Sequence, residues 1–167
     1  TISNITMNNI SVGDDYQVAG NNRGGLIGII VGSTSVTNAN ITGSSSSVFG
    51  DNDLYTGGLI GQMTTATISN CSSTASVRSN QSTSAPAAYV GGFVGYMNSG
   101  TITSGVDTGA SVTSGGDYVG GLVGKMINGT ITGSRTSSAV TASAGDYVGG
   151  FVGEVAQTGT ATISSSY

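Results

Sequence analysis

The sequence predicts an all-β protein, a parallel β-solenoid (β-helix) of about five coils with three short strands per coil. Three observations carry this expectation: a Gly-Gly-apolar-apolar-Gly unit that recurs about every thirty residues, a Thr-Ile-Thr-like element that follows each unit, and a composition poor in helix formers and rich in Gly, Ser and Thr. A unit of this size cannot enclose a core alone, whereas stacked copies form a continuous one. The alternative is a β-sandwich, which also uses regularly spaced short strands. It needs only alternation, however, and gives no reason for identity at matched positions.

The first element is GGLIG at Gly24 to Gly28 and Gly57 to Gly61, GGFVG at Gly91 to Gly95, GGLVG at Gly120 to Gly124 and GGFVG at Gly149 to Gly153, with spacings of 33, 34, 29 and 29 residues. The second is Ser35-Val36-Thr37, Thr67-Ile68-Ser69, Thr101-Ile102-Thr103, Thr130-Ile131-Thr132 and Thr162-Ile163-Ser164, and Thr1-Ile2-Ser3 opens the chain with a sixth copy. The third is a short apolar point at Val12, Val48, Val77, Val112 and Val140. Residues 1–167 thus read as one repeat domain, with GG units starting near 24, 57, 91, 120 and 149, and as part of a longer array or filament. Stacked coils would set equivalent residues about 4.8 Å apart, so five coils would span about 25 Å.

Alternation of side chains assigns the faces. In the Thr-Ile-Thr element Ile points inward, leaving an outward hydroxyl ladder of Thr67, Ser69, Thr101, Thr103, Thr130, Thr132, Thr162 and Ser164. In the GG element, the parity that turns Met126 inward also turns Leu122 and Tyr118 inward, and places Val119, Val123 and Lys125 outside. Ile27, Ile60, Val94, Val123 and Val152 would then form an exposed aliphatic row, the expected partner or assembly surface. A glycine bulge that switches parity is the other possibility, and it would bury both faces.

Charged side chains are only 7% of the chain and sum to a formal charge of -4, which excludes a nucleic-acid footprint. No apolar run is long enough for a membrane helix, so no membrane insertion is expected in this segment. Solubility must come from hydroxyls and amides, a composition that points to an extracellular or cell-surface location. The single cysteine, Cys71, has no partner for an internal disulfide and reads as a small buried residue.

No enzyme is expected. The chain has no histidine, which removes the usual general base and zinc ligand, and it shows no GxSxG elbow or phosphate loop. No helix pattern follows the GGxxG, so it is not a dinucleotide fingerprint. Oxygen-rich turns offer a calcium expectation at Asp117, Asp146, Asp51 and Asp53, although Asp is also an ordinary turn former. No cofactor is expected. Six Asn-x-Ser/Thr sequons, at Asn4, Asn9, Asn40, Asn70, Asn80 and Asn128, only slightly exceed the number that this composition produces by chance.

The segments YVGGFVG, DYVGGLVG and DYVGGFVG, each followed by GTIT or ATIS, resemble the GLUG motif, and TISNCSSTASV at Thr67 to Val77 is similar to the stretch that follows it. The first two copies depart in carrying Ile at the second apolar position, and Gly24 lacks the preceding Tyr-Val. The resemblance implies a repeat region of exported bacterial proteins, adhesin-like surface proteins and some immunoglobulin A proteases, folded as a solenoid-like stalk. The expected function is a non-catalytic structural or adhesive module, a stalk or self-assembling scaffold. Its partners would be further copies of itself or a host-surface protein or glycan. Two alternatives stand: ice binding by the Thr-x-Thr array, whose outward residues lie about 6.7 Å apart along a strand, and an accessory region of a secreted protease.

Overall fold

A computed structural model describes residues 1–13, 22–51, 54–80, 87–107, 109, 111–144, 147–156 and 158–167. Among these, no helix forms, and all the strands pair in parallel. They build three sheets, one of twelve strands and two of five, which wind the expected β-solenoid. One coil runs through Tyr89–Gly91, Val94–Met97, Gly100–Thr103, Val106–Asp107 and Ser111–Ser114. The three strands expected per coil are therefore five short segments distributed over three sheets.

Register follows the sequence repeat. Gly24, Gly57, Gly91, Gly120 and Gly149 pair in one row, Val36, Ile68, Ile102, Ile131 and Ile163 in a second, and Val12, Val48, Val77, Val112 and Val140 in a third. The interior rungs bury their apolar residue against its counterparts above and below. Ile68, Ile102 and Ile131 are fully buried, and each contributes about 1.5–3 kcal/mol by leaving water. The core has two compartments. The larger joins the Ile row to Leu59, Phe93, Leu122 and the Met63, Met97, Met126 column, and the smaller joins Val77 and Val112 to Val90 and Val119.

Corners are met by residues that tolerate a left-handed backbone. Asn4, Asn38, Asn70, Ser104, Gly133 and Ser165 occupy the same step after each Thr-Ile-Thr element, all with φ between 49° and 59°. Asn and Gly suit this conformation, and the Asn38 amide donates to the Asn4 side-chain oxygen at 3.2 Å. One residue further on, Cys71 is buried. Its sulfur accepts the Ala39 amide at 3.3 Å and donates to the Ser69 carbonyl, the same pair of bonds that Ser134 makes to Gly105 and Thr132.

The GG element overturns the expected exposed row. Ile60, Val94 and Val123 are fully buried, and Ile27 and Val152 pack partly buried against the core. Ile27, Ile60, Val94, Val123 and Val152 therefore form no assembly surface. The reason is a bulge repeated at every rung. The Phe93 and Val94 amides both donate to the Leu122 carbonyl, at 3.0 Å each, and Leu122 and Val123 both donate to Phe151, at 2.8 and 3.1 Å. Two successive amides on one carbonyl rotate the chain, so Val123 and Met126 both point inward while Lys125 points out. Tyr118 also departs from its expected inward place: Val119 is the buried neighbour, and Tyr118 is only half-buried.

The arch needs glycine on both arms. A Cβ at Gly120 would lie 1.9 Å from the Val123 carbonyl oxygen and 2.8 Å from the Gly153 nitrogen, both backbone atoms that cannot swing away. At Gly150 nothing lies within 4 Å of the same atom. Gly120→Ala is accordingly expected to lower stability by about 2 kcal/mol or more, whereas Gly150→Ala should change it by less than about 0.5 kcal/mol. Denaturant midpoints of the two variants decide this, and equal effects would disprove the arch packing.

Candidate functional site

The inward turn of Val90 and Val119 sends the preceding tyrosines outward, into register with one another. Tyr55, Tyr89, Tyr118 and Tyr147 form a continuous stack, with ring centroids 5.2, 4.8 and 4.8 Å apart and interplanar angles of 22°, 12° and 4°. Tyr96, from the neighbouring strand, tilts over Tyr55 and Tyr89 at 5.0 and 5.3 Å. Lys125 follows Tyr96 in its column and Glu154 follows Lys125. The Lys125 ammonium lies 2.7 Å from the Glu154 carboxylate and 4.3 Å from the Tyr118 ring centroid. The arrangement is an aromatic edge with one ion pair, each stacked contact contributing about 0.5–1.5 kcal/mol beyond its burial. Sequence reasoning missed it, although a Tyr recurring two residues before the Gly pair at Tyr55, Tyr89, Tyr118 and Tyr147 was a readable signal.

The hydroxyl ladder lies where alternation placed it, with Thr67, Thr101, Thr130 and Thr162 in one in-register column and Ser69, Thr103, Thr132 and Ser164 in the other. The hydroxyls of Thr37 and Ser69 lie 3.2 Å apart and those of Thr132 and Ser164 3.3 Å apart.

Of the four acidic candidates, two are described. Asp53 and Asp146 lie outside the described residues, Asp51 is buried and Asp117 is half-buried. Among the described residues, no group of three or more metal-ligating side chains occurs.

Burial raises the pKa of Tyr89; the Lys125 charge works against the rise, and the phenols of Tyr118, Tyr55 and Tyr96 add to it. Burial raises Tyr96 as well, with Tyr55 adding and Lys125 opposing. For Lys125, burial acts to lower the pKa, but the hydrogen bond and charge of Glu154, helped by Tyr118 and Tyr89, outweigh it and hold the group above its ordinary value. All three folded values thus exceed the unfolded ones. Their contribution to stability is complete below about pH 10 and is lost as pH rises through the raised folded values. Denaturant midpoints should hold level between about pH 7 and about pH 9 and fall above about pH 10. A midpoint that stays level at alkaline pH would contradict this.

Residues 52–78 match the GLUG motif. They comprise the coil from Tyr55 to Val77, whose strands pair in register with those of the next coil. No curated protein matches the chain. Among solved structures, the fold is similar to that of a "putative immunoglobulin A1 protease" from Bacteroides ovatus, with a TM-score of 0.73 and 21% identity. The match covers 99% of this chain and 57% of that one. The chain is a parallel β-solenoid that carries the GLUG motif at residues 52–78.

Proposed function

We propose that this solenoid is a non-catalytic structural repeat of a secreted or cell-surface protein, serving as a stalk or scaffold that presents side-chain ladders to a partner. The supporting observation is the in-register stacking itself: successive coils align Tyr with Tyr, Val with Val, Gly with Gly, Thr with Thr and Ile with Ile. With no histidine in the chain, the commonest catalytic base is absent. Length and rigidity are what such a stack supplies.

Val148, Val155 and Ile163 are 50%, 44% and 42% exposed, whereas their counterparts one coil earlier, Val119, Met126 and Ile131, are fully buried. A further coil, supplied by a longer chain or by a second copy, would cover this apolar end. Likeness to the Bacteroides ovatus protein favours a second reading, that the coils are an accessory region beside a catalytic domain of a secreted protease.

Antibodies raised against the purified chain should label intact producing cells or their medium, and the chain incubated with immunoglobulin A should leave it uncut. Label confined to the cytosolic fraction, or cleavage by the chain itself, would overturn the reading. Self-stacking would show as a sedimentation coefficient that rises with concentration and falls back in Val148→Asp/Ile163→Asp. A monomer at all concentrations would rule it out.

A further inference from the structure

The face built by the Thr-Ile-Thr strands keeps one chemistry at both of its outward positions. Six rungs lie in register, from Thr1-Ile2-Ser3 to Thr162-Ile163-Ser164, and both outward positions of every rung are Ser or Thr, twelve in all. Eight of the twelve are Thr, so most sites offer a hydroxyl and a methyl together. Strand formation alone does not require this. The outward column of the preceding strand runs Ile29, Gln62, Tyr96, Lys125, Glu154, and one outward column of the third sheet runs Phe49, Arg78, Thr113, Thr141. Each mixes chemistries along the stack.

Behind the hydroxyls stands a buried row of Val36, Ile68, Ile102 and Ile131, which holds the strands rigidly. The corner residues that follow are Asn, Ser or Gly throughout, so no charge intrudes from that side. The grid therefore has two fixed repeats, about 4.8 Å between rungs and about 6.7 Å along each strand. Hydroxyl contacts within it, such as Thr37 to Ser69 at 3.2 Å, restrain the side chains yet leave lone pairs facing outward.

Such a face is ill suited to a protein partner. Protein interfaces draw their affinity from Trp, Tyr and Arg anchors, with Ser and Thr under-represented among them, and this face holds no anchor and no pocket-filling side chain. A neutral lattice of hydroxyls and methyls matches a partner that is itself a lattice. We infer that the Thr-x-Thr face binds ordered water at the surface of ice, its hydroxyls joining the lattice and its methyls seating neighbouring waters in cages. The inference stands apart from the scaffold role, since it concerns one lateral face and requires no further coil.

Thermal hysteresis and ice recrystallisation of the purified chain test it. The wild type should open a gap between melting and freezing and shape the crystal. Thr101→Val/Thr130→Val, which keeps the β-branched shape and removes two central hydroxyls, should lose most of that gap. Thr101→Lys/Thr130→Lys should abolish it, and Thr113→Lys, on the third sheet, should retain it in full. Circular dichroism melts identify variants that remain folded, and the conservative Val pair keeps the test decisive if the Lys pair unfolds. No hysteresis in the wild type, or equal hysteresis in all variants, overturns the inference. Retention on microcrystalline cellulose without any effect on freezing also overturns it, in favour of a glycan lattice.

Discussion

The fold depends on a backbone contact at the Gly-Gly arch. Between the arms of the arch, glycine Cα atoms face carbonyl oxygens and amides so closely that a Cβ at Gly57, Gly91, Gly120 or Gly149 would lie about 2 Å from a backbone oxygen. That closeness lets two successive amides share one carbonyl of the neighbouring coil, and the shared carbonyl rotates the strand. Both consequences matter elsewhere. Leu122, Val123 and Met126 all reach the larger compartment, Val119 fills the smaller one, and Tyr118 and Lys125 are left side by side outside. One local device thus sets the core, the compartments and the aromatic edge.

Stacking converts each side-chain choice into a column, and this governs which chemistry the surface tolerates. Two like charges on adjacent rungs, about 4.8 Å apart, would repel by about 3 kcal/mol at an effective dielectric of about 20. A ladder avoids that cost by using neutral residues or by alternating sign. Both solutions are present: neutral hydroxyls fill the Thr-Ile-Thr face, and Lys125 is followed in its column by Glu154. Tyrosines gain from the same geometry, because stacked rings at rung spacing attract.

Much of the fold was legible because identity recurs at fixed spacing, and identity survives where mere alternation would be ambiguous. The Ile row, the hydroxyl ladder and the Val row all fall where the repeat places them, since each lies on a short straight strand with a two-residue side-chain period. Parity failed at one element. Counting back from Met126 assumes an unbroken strand, and the bulge at the Gly pair breaks it, so Val123 was placed outside and Tyr118 inside. The aromatic edge then went unread because it joins residues of two different strands, Tyr118 and Lys125, whose proximity exists only once the arch is closed. Of the four carboxylates of the calcium expectation, the two that are described, Asp51 and Asp117, belong to no group of three metal-ligating side chains among the described residues.

The low charge of the chain acquires a structural cause from these columns. Composition by itself suggested an exported protein, yet a stack of in-register coils would favour few charges, many hydroxyls and abundant glycine in any compartment. Composition therefore reports on the ladder rather than on a compartment. This separates two properties that the sequence presents together. Glycine and buried aliphatic rows are demanded by the coil, but a uniform Ser/Thr pair at all six rungs is not, because Gln62, Arg78, Glu154 and Tyr96 occupy outward positions on the same coils without disturbing the register. Uniformity at both outward positions of that face is the feature that the architecture leaves free to serve a partner.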